Sequence, residues 1–183
     1  MLYRSFPALP GADPTSEGGP LHSPRFLQGA GRHDNPDRYG ALYVSRVPES
    51  VVGELLRFMR RHEVSDADLR SEDRPYALAA IDDSALEGLL DLDDPTILSA
   101  RGLRPSGVAT RNRRLTRRMA LDVYEDGVPG FEWWSTIEGS WINVTLFADR
   151  VTESLKVSGD PEELSTAHPA VRAAAEVVGV LLA

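Results

Sequence analysis

Cysteine is absent from the 183 residues, which excludes disulfides and thiolate metal sites. Lysine is almost absent: Lys156 stands alone among 20 basic residues, the rest being arginine. The four histidines, His22, His33, His62 and His168, show no HxxxH or HExxH spacing, which argues against a zinc site. No run approaches the roughly 20 apolar residues of a membrane helix. The opening MLYRSFPALPGADPTSEGG lacks the apolar centre of a signal peptide, so the cytoplasm is the expected compartment. Two phosphate-cradling glycine patterns are missing, since the GAG at 29–31 does not extend to GxGxxG and no GxxxxGK[ST] occurs. Ser135 does not sit in a GxSxG elbow, which weakens a serine-hydrolase reading. Basic surplus is lacking as well. A formal net charge of −8 argues against direct nucleic-acid binding, although it leaves room for a local basic pocket.

What is present is an ordinary globular composition, 42% hydrophobic and 26% charged, in a length that suits one domain with a sizeable core. Residues 1–38 read as a largely irregular segment rich in Pro, Gly, Ser and Asp. GALYVS (40–45) alternates as a strand, with Leu42 and Val44 facing a core and Tyr43 facing the other way. PESVVGELLRFMRRH (48–62) reads as a helix with Val52, Leu55, Leu56 and Met59 buried. At 100° per residue Glu54 falls beside Val51 and Phe58, on the margin of that stripe. YALAAI (76–81) and LEGLLDL (86–92) read as strands and DPTILSARGL (94–103) as a short helix. A helix is expected from about Thr110 to Tyr124, with Leu115, Met119 and Val123 along one face. FEWWST and WINVTLFA read as strands, and HPAVRAAAEVVGVLLA as a C-terminal helix that packs on its own core or on a second copy. This order predicts an α+β domain, not regular βαβ repeats.

Taken singly, the polar candidates have ordinary readings. Arg32 suits a loop ion pair, Tyr43 a half-buried strand position, Glu54 a helix surface and Ser135 a strand end. Their order along the chain is more informative. Tyr3–Arg4, GRHD at 31–34, YGALYVS at 39–45, a helix carrying Glu54, and GFEWWS at 130–135 before an apolar strand follow in sequence. This set resembles the RES domain family over nearly the whole chain. The resemblance implies a single domain with an ADP-ribosyltransferase-like mixed β core and flanking helices. It also implies a toxin of a bacterial toxin–antitoxin pair, acting on NAD⁺ by degradation or by transfer of ADP-ribose to a protein. A catalytically inactive NAD⁺-binding member is the alternative from another class. By the same resemblance Arg32, Glu54 and Ser135 are the catalytic set, and Arg4, Arg32, Tyr43 and Ser135 bind NAD⁺. His33 departs from the aromatic that usually follows the arginine. The implied partner is a cognate Xre-like helix-turn-helix antitoxin. NAD⁺ is the substrate and no metal is called for.

The residue types suit this chemistry on their own terms. Guanidinium forks pair with pyrophosphate oxygens. A carboxylate beside the ribose stabilises the oxocarbenium charge that develops as nicotinamide leaves. The arginine-dense stretch RGLRPSGVATRNRRLTRR (101–118) has an ordinary reading as a solvated helix face, and sharper ones as an antitoxin-docking surface or an aid to phosphate binding. No aromatic residues interleave with these arginines, which disfavours RNA.

Overall fold

The computed structural model describes residues 1–59 and 63–183. Its centre is an eight-stranded sheet formed by β1 (Leu2–Pro7), β2 (Ala41–Ser45), β3 (Arg70–Ser71), β4 (Arg74–Asp82), β5 (Leu90–Asp91), β6 (Gly130–Trp134), β7 (Ile142–Phe147) and β8 (Lys156–Glu163). The spatial order is β3-β4-β1-β2-β7-β6-β5, and β8 also pairs with β4, off this path. Every pairing is antiparallel except β5 with β6. The helices are α1 (Pro48–Leu56), α2 (Pro95–Ala100), α3 (Pro105–Val108), α4 (Arg113–Glu125), α5 (Ala148–Val151) and α6 (Pro169–Val178). The expected α+β class holds.

Residues paired across antiparallel strands share a face, and this divides the core. Leu2, Leu42, Val44, Ile81, Val144 and Leu146 occupy one face, beneath Leu21, Val151 and Leu155. The opposite face carries two separate apolar groups. At the β4–β1 end, Leu78 and Tyr3 pack with Val52 and Leu56 of α1 and with Val171, Ala174 and Val178 of α6. At the β6–β7 end, Phe131, Trp133 and Phe147 pack with Leu98 of α2, Val108 of α3 and Met119, Ala120 and Val123 of α4. Between the two groups the strands present the polar side chains of Ser5, Ser45 and Asn143 in place of a continuous apolar face. A cleft opens there.

Several expectations are corrected. The N-terminal segment contains β1, an inner strand that the irregular reading of residues 1–38 misses. Its alternation is masked because Arg4 takes an inward position between Leu2 and Phe6, where its Nη1 donates to the carbonyls of Pro20 and His22. β8 is also missed: an exposed edge strand containing Gly159 and Pro161 has no buried face to impose a pattern. Of the strand expected at 86–92, only Leu90–Asp91 pairs. The first helix ends at Leu56, so Met59 lies beyond it, and residues 60–62, including His62, lie outside the described residues. Leu115 is 50% exposed, and Thr116 takes the inward position because its hydroxyl donates to the carbonyl of Arg32. β1, β3, α3, α5 and β8 are additions to the expected element order.

Candidate active site

The cleft between the two apolar groups has a volume of about 520 Å³. Its floor is the sheet, through Ser5, Tyr43, Trp133 and Asn143; one wall is α1 and the turn after it, and the other is the 30–32 loop with the start of α4. The floor is held from both sides. Ser5 Oγ donates to Val51 O at 3.0 Å, and Ser50 Oγ donates to Asn143 Oδ1 at 2.7 Å. Both bonds dock α1 onto the sheet.

Glu54 lines the α1 wall with Val51, Leu55 and Phe58. Its Oε2 pairs with Arg57 Nη1 at 3.0 Å, one helical turn on. Gly53, on the face of α1 turned away from the cleft, lets the helix approach the indole of Trp141, since a Cβ there would stand 2.8 Å from Trp141 Cζ3. Glu54 therefore projects from a helix that small residues hold close to its support.

The 29–35 loop forms the other wall by satisfying its backbone internally. Asp34 Oδ2 accepts from the amides of Gly29 (2.8 Å) and Gly31 (2.6 Å), and its Oδ1 accepts from the hydroxyl of Tyr43 at 2.6 Å. That hydroxyl also accepts from the amide of His33 at 2.8 Å. Gly31 has no room for a side chain: a Cβ would lie 2.4 Å from Asp34 Oδ1 and 2.6 Å from the Tyr43 hydroxyl. Arg117 reaches back from α4 to the carbonyls of Gly31 and Gly29. Burial, then the neighbouring Asp34, pushes the Tyr43 phenol far above its usual range, so it stays neutral. Its ring is presented to the cleft while its hydroxyl is engaged.

Arg32 is 8% exposed, with its guanidinium 5.0 Å from the centroid of the Trp133 ring. Nη1 donates to Thr110 O at 2.5 Å, in the turn leading into α4. Burial lowers the Arg32 pKa first, and Arg113 lowers it further; Glu54 opposes both. Arg113, at the first turn of α4, and Arg57 complete a cleft with three guanidinium groups and one carboxylate. The arrangement can receive an anion beside an acidic group.

His33 turns away from the cleft into the core. Its ring meets Phe131 at 4.8 Å and Trp133 at 5.0 Å, both edge-on, which is the place an aromatic ring would take. Nδ1 lies 2.8 Å from Thr145 Oγ1, which also accepts from Trp133 Nε1 at 3.1 Å. Nε2 has no hydrogen-bond partner among the described residues. Burial, with Arg32 and Arg113 adding repulsion, holds the imidazole well below its ordinary 6.5. The unfolded chain therefore takes up a proton near pH 6.5 that the folded chain refuses until lower pH. This contribution to stability is complete above that value and declines as the pH falls below it, by at most about 1.4 kcal/mol per unit. His33→Phe should flatten the dependence of Tm on pH between about pH 7 and pH 5 relative to the parent, as thermal melts across that range would reveal.

The structure thus brings Arg32, Tyr43 and Glu54 to one cleft, and it does not bring Arg4 or Ser135 to the cleft lining. Arg4 is on the opposite face of β1 from Ser5, bound to the 20–22 loop. Ser135 is 2% exposed; its amide donates to Trp141 O and its Oγ accepts from the amide of Ile137, closing the turn between β6 and β7. Among the charged lining residues, sequence reasoning did not single out Arg57, and it placed Arg113 only within the arginine-dense stretch 101–118. Among the described residues no group of three or more His, Asp or Glu is placed to hold a metal ion, and no helix is long and apolar enough to cross a membrane.

The fold is similar to a chain of the crystal structure of the M. tuberculosis MbcT–MbcA toxin–antitoxin complex. The TM-score is 0.64 at 17% sequence identity, covering 98% of this chain and 88% of the other. Comparison with curated proteins gives no significant match. The RES domain family model matches residues 2–167, a span that takes in the whole cleft. The chain belongs to the RES domain family.

Proposed function

We propose that the protein is a toxin that binds NAD⁺ in this cleft and breaks its nicotinamide–ribose bond, with water or phosphate as acceptor. The observation that carries this reading is one carboxylate, Glu54, facing the Arg32 guanidinium across a cavity of about 520 Å³ floored by Tyr43 and Trp133. That volume lies within the roughly 300–1,000 Å³ of small-molecule sites. Arg32 takes the pyrophosphate, and the aromatic floor takes a planar ring. Glu54 stabilises positive charge at the ribose carbon as the C–N bond breaks. The bonding electrons leave on the pyridine nitrogen, so nicotinamide departs neutral without a general acid. The acceptor oxygen bonds to the ribose carbon and releases its proton to solvent or to Glu54. Arg4 and Ser135 have supporting parts in this scheme, fixing β1 and the β6–β7 turn.

Family membership and the toxin–antitoxin neighbour support a second element of the reading: a cognate antitoxin, expected to be Xre-like, that occupies the cleft and keeps the toxin silent. The experiment is NAD⁺ consumption by purified protein, with and without inorganic phosphate. Release of nicotinamide is the expected result, and phosphate dependence would identify the acceptor. NAD⁺ left intact, together with a cellular protein gaining the mass of ADP-ribose, would overturn degradation in favour of transfer.

A further inference from the structure

The cleft contains more positive charge than its own residues neutralise, and the surplus is localised. Arg57 is matched by Glu54. Arg32 spends Nη1 on the carbonyls of Thr110 and Val108, while its Nε and Nη2 have no partner among the described residues. Arg113 lines the same cleft, and its guanidinium has neither ion pair nor hydrogen bond among the described residues. The other arginines of α4 differ. Arg117 is committed to the 29–31 loop, Arg118 pairs with Asp122 at 2.8 Å, and Arg114 is exposed and outside the lining.

Arg113 also stands where a helix least favours a cation. It opens a 13-residue helix whose first turn contains no acidic residue, so its charge adds to the positive end of the helix dipole. The repulsion reaches across the cleft wall, since Arg113 depresses the pKa of Arg32. Two guanidiniums thus line one wall with no ion-pair partner among the described residues, while Glu54, the carboxylate across the cleft, is paired with Arg57. An anion with oxygens on two adjacent centres relieves both.

We propose that Arg113 and Arg32 form a diphosphate subsite, with Arg113 a substrate-binding residue that selects a dinucleotide over a mononucleotide. The identity of the ligand rests on the NAD⁺ reading above; the subsite itself is defined by its anion. Bound there, the pyrophosphate lies against the α4 wall, and the nicotinamide ribose extends toward Glu54 on the α1 wall.

The test is calorimetric titration of the full chain with inorganic pyrophosphate and with ADP-ribose, comparing the parent, Arg113→Gln and Arg114→Gln. Losing one charge-assisted contact should weaken both ligands about 10- to 100-fold in Arg113→Gln, with Arg114→Gln unchanged as a control for the general field of α4. Equal weakening in both variants overturns the proposal, because the effect would then be diffuse. Unchanged binding in Arg113→Gln, or no binding of either ligand by the parent, overturns it as well. Where NAD⁺ is cleaved, kcat/KM for NAD⁺ should fall in Arg113→Gln while that for nicotinamide mononucleotide, which has no diphosphate, stays constant. Should the parent leave NAD⁺ intact yet bind pyrophosphate through Arg113, the NAD⁺ reading fails and the subsite stands.

Discussion

Glu54→Gln should lower the rate of NAD⁺ cleavage by about 100- to 1,000-fold, the scale of losing one group aimed at transition-state charge. The substitution preserves shape and removes only the negative charge. Binding should move the other way. Arg57, now paired with Glu54 at 3.0 Å, would lose its partner and join Arg32 and Arg113 as an uncompensated cation. ADP-ribose should therefore bind at least as tightly to the variant as to the parent. Lower kcat with an unchanged or smaller dissociation constant would mean that Glu54 acts on the transition state and not on ground-state binding. Folding should hardly register the change. The Glu54 side chain is about one-third exposed and its pair is an i,i+3 surface pair, worth less than about 0.5 kcal/mol. A variant with parental turnover would remove Glu54 from the chemistry.

Trp133→Ala should produce the largest loss of stability among the cleft residues. The indole is 5% exposed and packs in the β6–β7 apolar group, where deletion to alanine costs about 3–5 kcal/mol. For a chain of this length that corresponds to a drop in Tm of roughly 10 °C. Two further contacts disappear with the ring: the edge-on seat of His33, and the surface beneath the Arg32 guanidinium. Trp133→Phe separates these effects, because it retains most of the buried ring but not the Nε1–H bond to Thr145. Thermal melts should rank parent, Phe and Ala in descending order. ADP-ribose binding should fall in the Ala variant even at temperatures where it is fully folded. An alanine variant that melts within about 2 °C of the parent would show that the packing around Trp133 is less demanding than it looks.

Much of this site was legible from the order of residues, and the limits of that reading have physical causes. Arg32, Tyr43 and Glu54 lie within one loop–strand–helix unit, so their convergence depends mainly on local geometry. Strand alternation turns Tyr43 away from Leu42 and Val44, and helix periodicity sets Glu54 beside Val51 and Phe58. Arg4 and Ser135 depend on more. On a six-residue strand one step of register decides which sheet face a side chain meets, and Arg4 shares the face of Leu2 and Phe6. Ser135 shares the parity of Trp133 but falls one residue beyond β6, where the chain turns and encloses it. Arg113 was hidden for the opposite reason. A run of arginines presents several equivalent candidates, and only the docking of α4 against the 29–35 loop shows which one looks into the cleft. The departure at His33 is also resolved in space: the imidazole fills an aromatic position, and Thr145 supplies the polar partner that it needs.

The sheet order has a consequence for how this protein is made. β2 leans on β7 along its whole length, and Arg32 rests on Trp133 of β6. Arg32, Tyr43 and Glu54 therefore leave the ribosome long before the strands that complete the cleft. Between Glu54 and Phe147 lie 93 residues of synthesis, about 5–20 s at ordinary translation speed. Throughout that interval the nascent chain carries these side chains without the pocket. On the reading proposed above, that is the time available for an antitoxin to reach the polysome before the first molecule becomes competent.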